Sequence, residues 1–306
     1  MKLPLKNLKI ASSAGGRPPA AIEVAPEGVL AAASSSPGKD TVFAFVPLAT
    51  GTLVPSIDAT NLHAPEAVSA AIRSALGEVA PRTRAVTLVL PDTLVRVFML
   101  DFDSIPAKTA DAISVVRFRL RKMVPFDVEH AAVSYQMLSQ TQTESKVLAA
   151  VIPGPVLAEY EGAVRAAGYE PGAVLSSSLA ALEAVNGMEA VMTAHLSAFA
   201  MTTTITNGQN LLLYRTLDLP ADPGQRRDEI QRGIAVAAAY YEDRLGMRPR
   251  TLHYAGVEPP ADFEISVGDP ELSVVDWVPR PSSGALTTLP LTSYAGVAGA
   301  LAGARS

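Results

Sequence analysis

Lys122-Met123-Val124-Pro125-Phe126-Asp127 ends a helical stretch, and Val133-Ser134-Tyr135-Gln136-Met137-Leu138 follows it as a strand. Upstream, Ser104 is placed to cap the helix and Pro106 stands near its start, where a missing N–H costs nothing. Ile113, Val116, Leu120 and Met123 recur at helical spacing and form its apolar face. Pro125 ends it because it cannot donate and clashes with the preceding turn. Strands are expected over 131–138 and 146–152, separated by the polar loop 139–145, and then a helix over 156–167 closed by Gly168. Before the helix, 85–90 and 94–100 are rich in β-branched residues and meet at Pro91-Asp92. The order strand, helix, strand, strand, helix makes an α+β unit inserted between flanking αβ elements.

The flanks carry the same grammar twice. Ala20-Ala21-Ile22-Glu23-Val24 and Val29-Leu30-Ala31-Ala32 are joined by Ala25-Pro26-Glu27-Gly28, a hairpin. A strand over 42–46 and a helix from Pro65 to a C-cap at Gly77 come next. In the last third, 190–206 is a strand pair, Asn207-Gly208 is a strong hairpin dipeptide, and 211–217 is the return strand. A helix follows over 226–245, with Ile230, Ile234, Ala237, Tyr241 and Leu245 on one face and Gly246 as its cap. Both halves thus begin with a hairpin and continue with helices, an internal echo. Residues 1–19 read as a flexible lead-in. The apolar run 286–304, with Gly299 and Gly303 spaced G-x-x-x-G, reads as a packed terminal helix rather than a membrane span, since Pro290 and Ser293 interrupt it.

Composition narrows the chemistry. With 25 Lys+Arg against 30 Asp+Glu in 306 residues, the net charge is −5, which opposes broad nucleic-acid binding. A hydrophobic share of 48% is that of a folded chain. Cysteine is absent, which excludes disulfides, thiolate-bound metals and thiol nucleophiles and fits a reducing cytoplasm. None of His63, His130, His195 and His253 has a partner at metal-ligand spacing. Asp101 and Asp103 flank Phe102 but lack a third carboxylate nearby. Ser36-Pro37-Gly38-Lys39 ends like a phosphate loop, yet Ala33 replaces its first glycine and Asp40 its Ser/Thr.

The Val-Pro-Phe helix end with its Tyr-Gln strand resembles the type IV pilus assembly protein PilM family. Ala167-Gly168-Tyr169-Glu170-Pro171, Ser178-Leu179-Ala180-Ala181-Leu182 and Tyr294 to Leu301 extend that resemblance over nearly the whole chain. It implies an α/β, actin-like (ribonuclease H-like) two-lobed fold with an inserted α+β subdomain. The lobes would be 20–91 plus 169–187 and 188–306, and the insertion 92–168. The cytoplasmic part of the type II secretion protein GspL is a related case.

The same resemblance sets expectations for the site. Each lobe of an actin-like ATPase offers phosphate a strand–turn–strand with Asp and Gly, whose N–H groups wrap the anion. Here the first turn has Glu23, with Ala25 at the glycine position and Pro26 lacking an N–H. The second turn, placed near Ala194-His195-Leu196, has neither Asp nor Gly, and the adenosine-side pair is reduced to Gly256-Val257. The resemblance therefore implies a scaffold without a resident cofactor, peripheral to the inner face of the inner membrane. It would bind the cytoplasmic tail of a PilN-like bitopic partner and link it to the pilus motor ATPase. The alternative is an active ATPase, with ATP and Mg, that uses Glu23 in place of the usual Asp. Pro125, Phe126, Tyr135, Arg117 and Arg121 are the expected partner-binding residues, the arginines facing an acidic segment or anionic lipid.

Overall fold

The two apolar runs of 20–34 fold as the expected hairpin: β1 (Ala20–Ala25) and β2 (Gly28–Ser34) pair antiparallel about Pro26-Glu27. The computed structural model describes residues 17–34, 41–184, 189–278 and 294–305. Its contacts divide into two units, Met1–Glu183 with Gly296–Ser306, and Ala184–Ala295.

In the first unit β3 (Thr41–Pro47), α1 (Pro65–Val79) and β4 (Ala85–Leu90) follow the hairpin. The insertion holds β5 (Arg96–Phe102), α2 (Thr109–Leu120), β6 (Ala131–Gln140) and β7 (Ser145–Pro153). The chain returns through α3 (Gly154–Ala166), β8 (Glu170–Ser176) and α4 (Ser177–Ala181). The main sheet has the order β3-β2-β1-β4-β8, with β1, β4 and β8 parallel, while the insertion is an antiparallel β5-β7-β6 sheet.

The second unit contains β9 (Ala190–Leu196), β10 (Ala200–Asn207), β11 (Asn210–Asp218), α5 (Pro223–Leu245), β12 (Thr251–Gly256), α6 (Pro260–Val267) and β13 (Ser273–Asp276). Its sheet order, β11-β10-β9-β12-β13, repeats that of the first unit strand for strand, so the echo heard in the sequence is a true structural repeat.

Period-2 alternation gives β1 two different faces. Ile22 and Val24 point into the core with Ile72 and Leu76 of α1 and Tyr160 of α3. On the opposite face, Glu23 meets α4 and the start of α7 (Ala295–Arg305). Gly296, Gly299 and Gly303 form a glycine seam on α7. A Cβ on Gly299 would lie 2.0 Å from the Ala180 carbonyl oxygen, so only glycine permits this approach. Arg17, beside Gly303, pairs with Glu183 at 2.9 Å.

Four expectations change. Helix α1 runs past Gly77 because Val79 still has core to fill, and Ala80 takes the left-handed cap at φ 46°. Helix α2 starts at Thr109 with Lys108 extended before it, so Ser104 does not cap it, and Met123 is 41% exposed rather than buried. The terminal helix, drawn with the second lobe, clusters with the first. Arg17 and Pro18, assigned to the flexible lead-in, are packed: Arg17 holds Glu183 and Pro18 lies against Gly172. Residues 1–16, the Ser36–Lys39 motif, the lobe boundary at 187–188, and Pro290 and Ser293 lie outside the described residues.

Candidate functional site

Each of the three segments expected to meet nucleotide is packed by neighbouring groups of its own unit. Ala25 and Gly28 form the last pair of the first hairpin. A Cβ on Gly28 would sit 2.5 Å from both the Phe45 ring and the Val46 carbonyl oxygen, so that glycine serves hairpin packing. Glu23 is only 5% exposed. Its Oε1 accepts from the Ser177 hydroxyl at 2.9 Å, and a Cβ on Gly296 would fall 2.9 Å from its Oε2.

Ala194 and Leu196 lie inside β9, opposite Thr203 and Met201 of β10. The turn expected at 194–196 comes one step later, at Ser197-Ala198-Phe199, because those residues stay paired. Its Ser197 N–H donates to the Ala200 carbonyl oxygen at 2.9 Å. From the first turn of α5, Arg226 donates to the carbonyl oxygens of Ala198 at 2.8 Å and Ser197 at 3.0 Å. Asp222 fixes that helix start by accepting from the Gln225 N–H at 2.9 Å. Sequence reading missed Arg226, since nothing local marks an arginine that reaches a turn 28 residues away.

At Gly256 a Cβ would lie 2.3 Å from the Tyr254 hydroxyl. That hydroxyl donates to the Glu258 carbonyl oxygen at 3.2 Å and accepts from the Glu258 N–H at 3.3 Å. The Tyr254 ring stacks on Phe263 with centroids 4.1 Å apart. Among the described residues no group of three His, Cys, Asp or Glu could hold a metal ion, and Asp101 is paired with Lys146 at 3.4 Å.

The inserted sheet presents two faces. Tyr135 and Phe126 pack, half-buried, with Val116 and Leu120 against α2. Pro125 is exposed in the turn beyond α2. The other face of β6 carries Ala132, Ser134 and Gln136. With Ile152 of β7, Leu157 and Glu161 of α3 and Val174 of β8, its first two line a mainly apolar pocket of about 100 Å³. Strands β6 and β8 are the outer strands of their sheets among the described residues, so the pocket lies between two open edges. The Gln136 Oε1 is buried and accepts no hydrogen bond among the described residues. Tyr160 holds α3 in place by donating to Asn61 at 3.2 Å, and burial, helped by the Glu159 carboxylate, pushes its hydroxyl pKa well up.

Arg117 and Arg121, expected to face a partner, are engaged inside the subdomain. Arg117 donates to the carbonyl oxygens of Val128 and, at 3.0 Å, Ala131. Arg121 pairs with Glu129 and lies over the Phe118 ring at 5.8 Å. Both tie the loop after Pro125 to α2.

Two sheets of identical strand order, with an α+β layer inserted after the fourth strand of the first, define the actin-like ATPase fold. Among solved structures, the chain is similar to a chain of the PilM-PilN type IV pilus biogenesis complex, at 18% identity, TM-score 0.69, over 93% of this chain and 98% of that one. It is also similar to the cytoplasmic domain of EpsL, an inner membrane component of the type II secretion system of Vibrio cholerae, at 13% identity, TM-score 0.50, over 88% and 90%. A Bacteroides thetaiotaomicron protein with an actin-like ATPase fold matches at 10% identity, TM-score 0.51, over 84% and 90%. No protein-family model and no curated protein sequence matches the chain. Among the described residues no helix is long and apolar enough to cross a membrane.

Proposed function

We propose that this chain is a PilM-like scaffold of a type IV pilus or related inner-membrane assembly platform, and that it captures the cytoplasmic tail of a PilN-like bitopic partner. The observation that carries the reading is the apolar pocket between the open edges of β6 and β8, in a fold similar to that of the PilM-PilN complex. An extended tail adds to a strand edge by main-chain hydrogen bonds and seats alternate side chains in pockets. The buried Gln136 Oε1 offers it an acceptor on the same face of β6. Through that partner the chain sits at the inner face of the inner membrane and bears on the pilus motor.

The reading includes no nucleotide hydrolysis. Pro26 withholds an N–H at the first turn, Arg226 occupies the second, and Tyr254 fills the loop after Gly256. Each of these features opposes a phosphate at its own turn, and the burial of the Glu23 carboxylate against Ser177 supports the same reading.

Calorimetric titration with a synthetic peptide of the partner tail tests the capture. Ser134→Trp and Leu157→Lys, which obstruct the groove, should each weaken binding at least about tenfold, or roughly 1.4 kcal/mol. Arg121→Glu, outside the groove, should leave affinity unchanged. Equal affinity for all three variants would refute the groove.

A further inference from the structure

We propose that the outer end of α2 is a contact for an anionic lipid surface, separate from the groove and independent of the tail-capture reading. Ala112, Val116 and Leu120 turn α2 inward. The side left outside carries Phe118, 65% exposed, with Met123 just beyond at 41%. Arg119 and Lys122 stand beside them, exposed and engaged by no carboxylate among the described residues. Two acidic groups in the loop after α2 are engaged elsewhere: Glu129 with Arg121, and Asp127 with His130 at 2.6 Å. Asp111 sits at the opposite end of the helix. In a chain of net charge −5, this is a local concentration of cations around an aromatic ring.

The patch lies at the end of a helix, not along an open strand edge, so it gives an extended peptide no main-chain groups in register to pair with. A second copy of the chain would bring Arg119 and Lys122 against their own equivalents across a two-fold contact, where like charges repel. A phosphate-bearing membrane surface satisfies both halves of the patch. Headgroups take the ammonium and guanidinium groups, whose stems snorkel, and the interface takes Phe118 and Met123.

Flotation of the full chain with phosphatidylcholine vesicles, with and without phosphatidylglycerol, tests this at low and high salt. Binding should require phosphatidylglycerol and weaken with salt. Arg119→Glu/Lys122→Glu should lower the bound fraction about tenfold or more. Phe118→Ala should weaken the part that persists in high salt. Both variants should keep the wild-type melting temperature, since the replaced side chains are exposed. Equal binding to neutral vesicles, unchanged binding by the charge-reversed variant, or a dimer that Phe118→Ala dissociates without affecting vesicle binding would overturn the proposal.

Discussion

The Arg226 guanidinium donates to the Ser197 carbonyl oxygen at 3.0 Å and so closes, from the first turn of α5, the β9–β10 turn of the second unit. A second bond, to Ala198, makes the contact a fork. Arg226→Ala should destabilise the second unit by about 1–3 kcal/mol, because two carbonyls lose a charged donor. Arg226→Lys should recover only part of that, since an ammonium cannot reproduce the planar fork. Urea unfolding of the three proteins gives the ranking.

Mg-ATP should show no low-micromolar binding by calorimetry. Several charge-assisted bonds, each about 1.5–3 kcal/mol, are missing where Pro26 and Arg226 stand. Steady phosphate release that Glu23→Ala abolishes would reinstate the ATPase alternative.

Arg117 in α2 and Arg121 just after its end carry unequal weight. Arg117→Ala removes the donor to Val128 and Ala131 and should cost about 1.5–3 kcal/mol. Arg121→Ala breaks a solvent-exposed pair with Glu129 and should cost about 0–1 kcal/mol. Thermal melts distinguish the two.

One substitution should act with opposite signs at two glycines. Around Gly162, in α3, an added Cβ meets nothing within 4 Å, so Gly162→Ala should stabilise by about 0.5–1 kcal/mol. At Gly299 the same methyl strikes the backbone of α4, and Gly299→Ala should destabilise by about 1–3 kcal/mol. Limited proteolysis should also cut the Gly299 variant near α7 sooner.

His253 sits in β12 in register with Thr193 and Val275, and burial holds its ring below the usual histidine value of 6.5. The unfolded chain therefore takes up its proton at higher pH than the folded one. Below about pH 6.5, the unfolded state binds more protons, so stability falls as pH drops toward the folded-state value. His253→Gln should flatten that slope, as measured by denaturation midpoints across the window.

Strand and helix order was legible because local signals agreed with each other. The Gly246 cap and the hairpin of 20–34 stand where local chemistry puts them, and the second hairpin turns at Gly208-Gln209, one residue past the expected Asn207-Gly208 because Asn207 stays paired with Asn210. Failures came where a distant contact overruled a local signal. Gly77 looked like a stop, but Val79 had a core to reach. Pro106 looked like a first-turn proline, yet the helix waits until Thr109. At the expected nucleotide turns, Ala25 and Gly256 could be picked out from the sequence, but the groups packed beside those turns could not. Arg226 and Tyr254 reach their turns only through folded geometry, as Arg117 does its loop. The Tyr-Gln motif pointed to β6 while saying nothing of which neighbour faces the groove.

The seam between α4 and α7 also sets an order of events on the ribosome. Ala184–Ala295 is one uninterrupted stretch and can close on itself as it emerges. The earlier unit is complete only once the helix that covers Glu23 and meets Arg17 has been made, after the whole of the later one. During that interval a nascent chain carries a buried-type carboxylate and an alanine-rich sheet face open to water. The unit translated first is thus the one finished last.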